Sequence, residues 1–83
     1  MKVKYFAWVR ERIGKAEETI EPPESVHTID ELIGWLTQRG EAYAYAFEKP
    51  KVIRAAIDRA HVKPDAVIAG AHEIAFFPPM TGG

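Results

Sequence analysis

Thr28-Ile29-Asp30-Glu31-Leu32-Ile33-Gly34-Trp35-Leu36-Thr37-Gln38-Arg39-Gly40 is the stretch on which the fold turns. Thr28 stands three residues before Glu31, the capping-box spacing. In that arrangement the hydroxyl and the carboxylate each take up a backbone N–H that the first helical turn leaves unpaired. Ile29, Leu32, Ile33 and Leu36 follow at i, i+3, i+4 and i+7 as one apolar stripe. Gly40 is suited to a left-handed stop. The spacing predicts an amphipathic helix over about 29–39, and one stripe calls for one apolar surface to lie on.

The flanks supply strands for that surface. Residues 3–9, Val-Lys-Tyr-Phe-Ala-Trp-Val, alternate Val3, Tyr5, Ala7 and Val9 against Lys4, Phe6 and Trp8, which predicts a strand with an aromatic second face. Arg10-Glu11-Arg12-Ile13-Gly14 reads as a polar turn, and residues 17–20 as a second strand hairpinned to the first. Pro22-Pro23 stops that strand, because proline cannot donate to the ladder. Beyond the helix, residues 41–47 alternate with period 2 but carry alanine at every other position, and we assign them to a short helix. Residues 52–57 read as a third strand, Asp58-Arg59 as a turn, residues 60–62 as a short fourth strand and Lys63-Pro64-Asp65 as a loop. Gly70 marks a turn before a last strand over 73–77. This order predicts an α+β fold, a β-grasp or ubiquitin-like arrangement. Its mixed sheet would have four to five strands, with the main helix across one face and the first and last strands central and parallel.

The chain has 83 residues, which suits one small domain over 1–83. It has no cysteine, so disulfides, a thiolate metal site, a redox pair and a cysteine nucleophile are excluded. Eleven Lys and Arg against twelve Asp and Glu give a net charge of −1, without the basic excess that nucleic acid would need. No apolar run approaches the roughly 20 residues of a membrane span, and the N-terminus lacks a signal core, so a cytoplasmic protein with no membrane partner is expected. His27, His61 and His72 share no ligand-like spacing, so no metal site is expected. No glycine-rich phosphate loop occurs, so any ATP would be held by a partner.

The C-terminus is unusual. Ile74-Ala75-Phe76-Phe77-Pro78-Pro79-Met80-Thr81-Gly82-Gly83 contains no charged side chain, whereas the ends of domains are usually polar. Ile74 and Phe76 face the core in this reading, and Phe77 points to the face that carries Phe6. Pro78-Pro79 stiffens the exit, and residues 78–83 are expected to form an extended, flexible tail. Thr81-Gly82-Gly83 has little side-chain bulk and could thread a narrow channel to present a main-chain carboxylate. Adenylation would give that carboxylate a leaving group, after which sulfur or an amine could attack.

Residues 73–83 resemble the ending of the molybdopterin synthase small subunits, the sulfur carriers of molybdenum cofactor biosynthesis. Phe6-Ala7-Trp8-Val9-Arg10-Glu11-Arg12-Ile13-Gly14 is similar to the same family's opening motif. The resemblance implies a β-grasp fold and a chain that is not an enzyme on its own. It implies that Gly83 becomes an acyl-adenylate and then a thiocarboxylate, through an E1-like adenylyltransferase that uses ATP with Mg and a sulfur-donating enzyme. The tail, with Thr81 and Gly82, would insert into the large subunit, which carries the catalytic side chains. There it would donate sulfur to cyclic pyranopterin monophosphate to build the molybdopterin dithiolene, in a heterotetrameric synthase. Phe6, His61, Phe77, Pro78, Pro79 and Met80 match the family's partner-binding positions. His61 stands where an aliphatic residue is usual, and Gly70-Ala71-His72-Glu73 replaces an acidic turn, which leaves that turn's geometry open. A thiamine-thiazole sulfur carrier, a ubiquitin-like protein modifier and a binding module with an inert tail are the rival readings.

Overall fold

The computed structural model describes residues 1–79. Its elements are β1 (Lys2–Tyr5), α1 (Ala7–Ile13), β2 (Glu17–Thr19), α2 (Ile29–Thr37), α3 (Glu41–Ala46), β3 (Arg54–Ile57), β4 (Ala60–Val62) and β5 (Glu73–Phe77). Five strands form one mixed sheet in the order β2-β1-β5-β3-β4, with β1 and β5 parallel and the other pairs antiparallel. This is the α+β β-grasp arrangement that the order of elements predicts.

The capping box forms. Glu31 N–H donates to Thr28 Oγ1 at 3.2 Å, and Glu31 Oε1 accepts from the N–H groups of Thr28 at 3.1 Å and His27 at 2.8 Å. The stripe Ile29, Leu32, Ile33 and Leu36 is buried against Val3, Tyr5, Ile74 and Phe76 of β1 and β5. The Phe76 ring meets Phe47 edge-on at 5.4 Å and lies parallel to Tyr5 at 6.5 Å. A fully buried side chain of this kind contributes about 1.5–3 kcal/mol, so the sheet and α2 carry most of the stability.

Four sequence expectations need correction. The strand predicted over 3–9 ends at Tyr5, and the chain turns into α1, which takes in most of the predicted polar turn at 10–14. Ala7 adopts φ 52°, so the strand alternation breaks there; Val9 and Ile13, one helical turn apart, then bury. β1 and β2 pair as expected but are joined through a helix rather than a hairpin. Gly40 does not stop α2, which closes at Gln38; Gly40 instead begins α3. The third strand is shorter at its start, because Pro50–Val52 forms a 3-10 turn.

The β3–β4 turn follows expectation and adds a detail. Asp58 and Arg59 take φ 48° and 72°, the left-handed pair that matches a two-residue hairpin to the strand twist. The Asp58 carboxylate accepts from the N–H groups of His72 at 3.0 Å and Glu73 at 2.9 Å, and those bonds hold its carboxyl below the usual range. Asp58 thus anchors the segment entering β5, where the local acidic turn is missing. Among the described residues no helix is long and apolar enough to cross a membrane.

Candidate functional site

β5 delivers the C-terminus. Because β1 lies parallel beside it, with Tyr5 level with Phe76, the next residue of each strand, Phe6 and Phe77, reaches the same end of the sheet. Ile74 and Phe76 point into the core, so Glu73, Ala75 and Phe77 lie on the face that α2 leaves uncovered. Phe6 follows Lys4 in the same alternation and is 46% exposed, a large cost in wetted apolar surface for a chain this small. Its N–H donates to Phe76 O at 3.1 Å, which fixes the crossover from β1 into α1 beside the end of β5.

His61 joins the same face from β4. Its register partner is Ala56, whose own partner on β5 is Ala75. The His61 and Phe77 rings lie 5.2 Å apart at 60°. Ala56 is buried although no helix covers that face; His61 opposite it and Phe77 on the adjacent strand are placed to shield it. The far part of this face is ionic instead, with Lys2 paired to Glu17 at 3.1 Å and Lys4 to Glu73 at 3.4 Å. The uncovered face therefore divides into a half of paired charges and a half that is apolar apart from Arg54, the register partner of Phe77, and the second half sits where the chain leaves the sheet.

Pro78 and Pro79 continue from Phe77 and line a cleft of about 540 Å³ with Trp8, Arg12, Lys49 and Val52. Arg12 builds this wall. Its guanidinium lies 4.5 Å from the Trp8 ring centre and 4.1 Å from that of Tyr45, and it donates to Tyr45 O at 3.1 Å and Glu48 Oε1 at 3.3 Å. α1 is thus clamped to α3 at the tail exit. Arg12 falls within the polar turn expected at 10–14; the i, i+4 spacing of Trp8 with Arg12 and of Val9 with Ile13 is the signal that points to the helix instead.

The structure brings Phe6, His61, Phe77, Pro78 and Pro79 to one end of the sheet. Met80, a candidate partner-binding residue, and Thr81, Gly82 and Gly83, the candidate insertion and acyl-transfer residues, lie outside the described residues. Among the described residues no three His, Asp or Glu side chains converge as a metal site would require. The arrangement offers an exposed apolar face beside the point where the chain leaves the sheet.

Comparison with known proteins agrees with this arrangement. The model of the ThiS family matches residues 3–83. The chain is 35% identical to the molybdopterin synthase sulfur carrier subunit of Haemophilus influenzae and 34% identical to that of Escherichia coli. Each alignment spans 83 residues, 100% of this chain and 99% of the relative. The crystal structure of SAMP1 from Haloferax volcanii superposes with a TM-score of 0.72 at 22% identity, covering 100% of this chain and 98% of that one, which is a likeness of fold.

Proposed function

The chain belongs to the ThiS family, and from that premise we propose that it is the sulfur carrier subunit of molybdopterin synthase. The observation that carries the reading is the end-to-end match to two carriers of that name, through the Gly82-Gly83 terminus. The apolar half-face beside the tail exit supports it.

The chemistry proceeds on the main chain. The Gly83 carboxylate attacks the α-phosphorus of ATP on an E1-like adenylyltransferase, pyrophosphate leaves, and a mixed anhydride forms. A sulfur-donating enzyme then supplies a nucleophilic sulfur that displaces AMP and leaves a thiocarboxylate. The tail enters the large subunit, Thr81 and Gly82 passing where bulk is excluded, and sulfur is transferred to cyclic pyranopterin monophosphate. Two such transfers complete the dithiolene, in a heterotetramer whose catalytic side chains belong to the large subunit.

The residues of this chain bind and position. Phe6, His61 and Phe77 dock the partners, since desolvated aromatic anchors dominate such interfaces. Pro78 and Pro79 narrow the directions in which the tail can leave, and a preorganised end loses less entropy on insertion. Arg12 keeps α1, and with it Phe6 and Trp8, fixed beside that exit.

Deleting Gly82 and Gly83 tests the reading. In a strain lacking this carrier, the full chain should restore molybdenum-enzyme activity and leave thiazole synthesis unchanged, and the truncated chain should not restore molybdenum-enzyme activity. Activity restored by the truncated chain would refute the carrier role, and rescue of thiazole synthesis alone would place the chain in thiamine biosynthesis.

A further inference from the structure

The positive charges of this chain are unevenly matched. Lys2, Lys4, Arg12, Lys15 and Arg39 each sit within 3.5 Å of a carboxylate oxygen. Arg10 on α1 and Arg59 in the β3–β4 turn have no ion-pair partner among the described residues, and neither do Lys49, Lys51, Arg54 and Lys63, all four of which are exposed. Those four are also close together. Residues 49–54 run through the 3-10 turn into β3, and Lys63 follows β4 beside Arg54, because Val62 pairs with Ala55.

These four cations border two concavities. Lys49 stands on the rim of the tail-exit cleft with Pro78 and Pro79. Lys51, Arg54 and Lys63 rim a groove of about 480 Å³ between α2 and β3–β4, floored by apolar side chains that include Ile33, Ile53 and Val62. The carboxylates lining the two are Asp30 and Glu48, and Glu48 is already bound to Arg12. A local excess of positive charge therefore stands next to the tail on a chain whose net charge is −1.

We propose that Lys49, Lys51, Arg54 and Lys63 form a steering collar for an acidic face on the protein that receives the tail, with an aliphatic side chain of that partner seated in the groove. The inference rests on the carrier reading and names the partner chemistry at that site. An unmatched cluster beside a reactive end raises the encounter rate with an oppositely charged surface and orients it, more than it lengthens the life of the complex. The apolar floor favours a protein partner over a nucleic acid, whose phosphates would meet the cations while the groove between α2 and β3–β4 offers no aromatic side chain for a base to stack on.

The test measures association of the chain with the molybdopterin synthase large subunit from the same organism by surface plasmon resonance. Raising salt from about 0.1 M to about 1 M shortens the screening length from about 10 Å to about 3 Å. The wild-type association rate should fall roughly tenfold or more, with the dissociation rate changed far less. A Lys51→Gln, Arg54→Gln double variant should start slower and lose most of that salt dependence. A Lys2→Gln, Arg59→Gln variant, matched in net charge but placed elsewhere, should behave as wild type. Equal effects in both doubles, or a salt-independent wild-type rate, would overturn the collar and leave the carrier reading standing. No binding by the wild-type chain would remove both. Retention of the wild type on single-stranded DNA at physiological salt, abolished by Lys51→Gln with Arg54→Gln, would assign the patch to nucleic acid and overturn the proposal.

Discussion

Glu18 is the polar hub beneath the core, and replacing it with glutamine gives a stability change that can be worked from the geometry. One oxygen, Oε2, accepts from Tyr5 Oη and Tyr43 Oη, both at 2.7 Å; the other, Oε1, faces Arg39 at 3.3 Å and Lys15 at 3.5 Å. The Glu18 side chain is only 12% exposed, so the tyrosine bonds are sheltered, while Lys15 is about half and Arg39 about one-third exposed. In Glu18→Gln the tyrosines still find an oxygen, but each charge-assisted bond becomes a neutral one, a loss of about 1 kcal/mol apiece. The amide also turns a donor toward two cations, which removes the exposed pairs at a cost of about 0.5 kcal/mol each. The total is about 2–3 kcal/mol, or on the order of 10–20 °C in Tm for a domain this small.

The pH dependence fixes the interpretation. Burial alone raises the Glu18 carboxyl, but the hydrogen bonds from Tyr43 and Tyr5 and the charges of Arg39 and Lys15 outweigh it and hold the group below the usual carboxylate range. A depressed native pKa contributes stability that is fully present above the unfolded-state value and is lost as pH falls through the native one. Thermal melts followed by circular dichroism should therefore show wild type and Glu18→Gln separated at pH 7 and converging below about pH 4. On the alkaline side, burial and the bond to Glu18 push the Tyr5 and Tyr43 hydroxyls up. The stability they contribute is present below about pH 10, the unfolded tyrosine value, and is lost as pH rises through the higher native ones. A Tm difference under about 3 °C at pH 7, or one that persists unchanged into acid, would refute this account of the hub.

Three further substitutions probe the docking face and the exit. Phe77→Asp should leave the domain folded, because Phe77 lies outside the core, but weaken binding to the large subunit by about 2 kcal/mol or more, roughly thirtyfold; undiminished affinity by calorimetry would place the interface elsewhere. Arg12→Met should lower stability by about 1–2 kcal/mol through loss of its two ring contacts and its hydrogen bonds, as read by denaturant unfolding, and an unchanged midpoint would refute the clamp. Gly82→Val should permit docking but abolish sulfur transfer by its bulk, and full activity in a reconstituted synthase would refute a narrow passage.

Much of the fold was legible because its signals were local. Thr28 and Glu31 announce α2 by side-chain chemistry alone, and the period-2 alternation of β5 separates Ile74 and Phe76 from Phe77. α1 was not legible as a helix because Val3, Tyr5, Ala7 and Val9 fit a strand as well as Val9 and Ile13 fit a helix. The switch occurs at Ala7, a left-handed position with neither glycine nor proline to mark it. The Arg12 clamp was hidden with it, since it requires α1 and α3 to meet. Phe6 and Phe77 followed from alternation, whereas placing His61 beside them needed the strand order, which no single segment encodes. The unmatched cations were invisible for the same reason: pairing is a tertiary property, and only the folded chain shows which lysines have found a carboxylate.

The central claim is that this chain carries sulfur on its terminal carboxylate, and intact-protein mass spectrometry tests it most directly. After incubation with the E1-like adenylyltransferase, ATP, Mg and a sulfur-donating enzyme, the chain should gain the mass difference between one sulfur and one oxygen, with the change confined to the peptide ending in Gly83. An unchanged mass under conditions in which the activating enzyme consumes ATP on this chain, or an added mass located on any side chain, would contradict it.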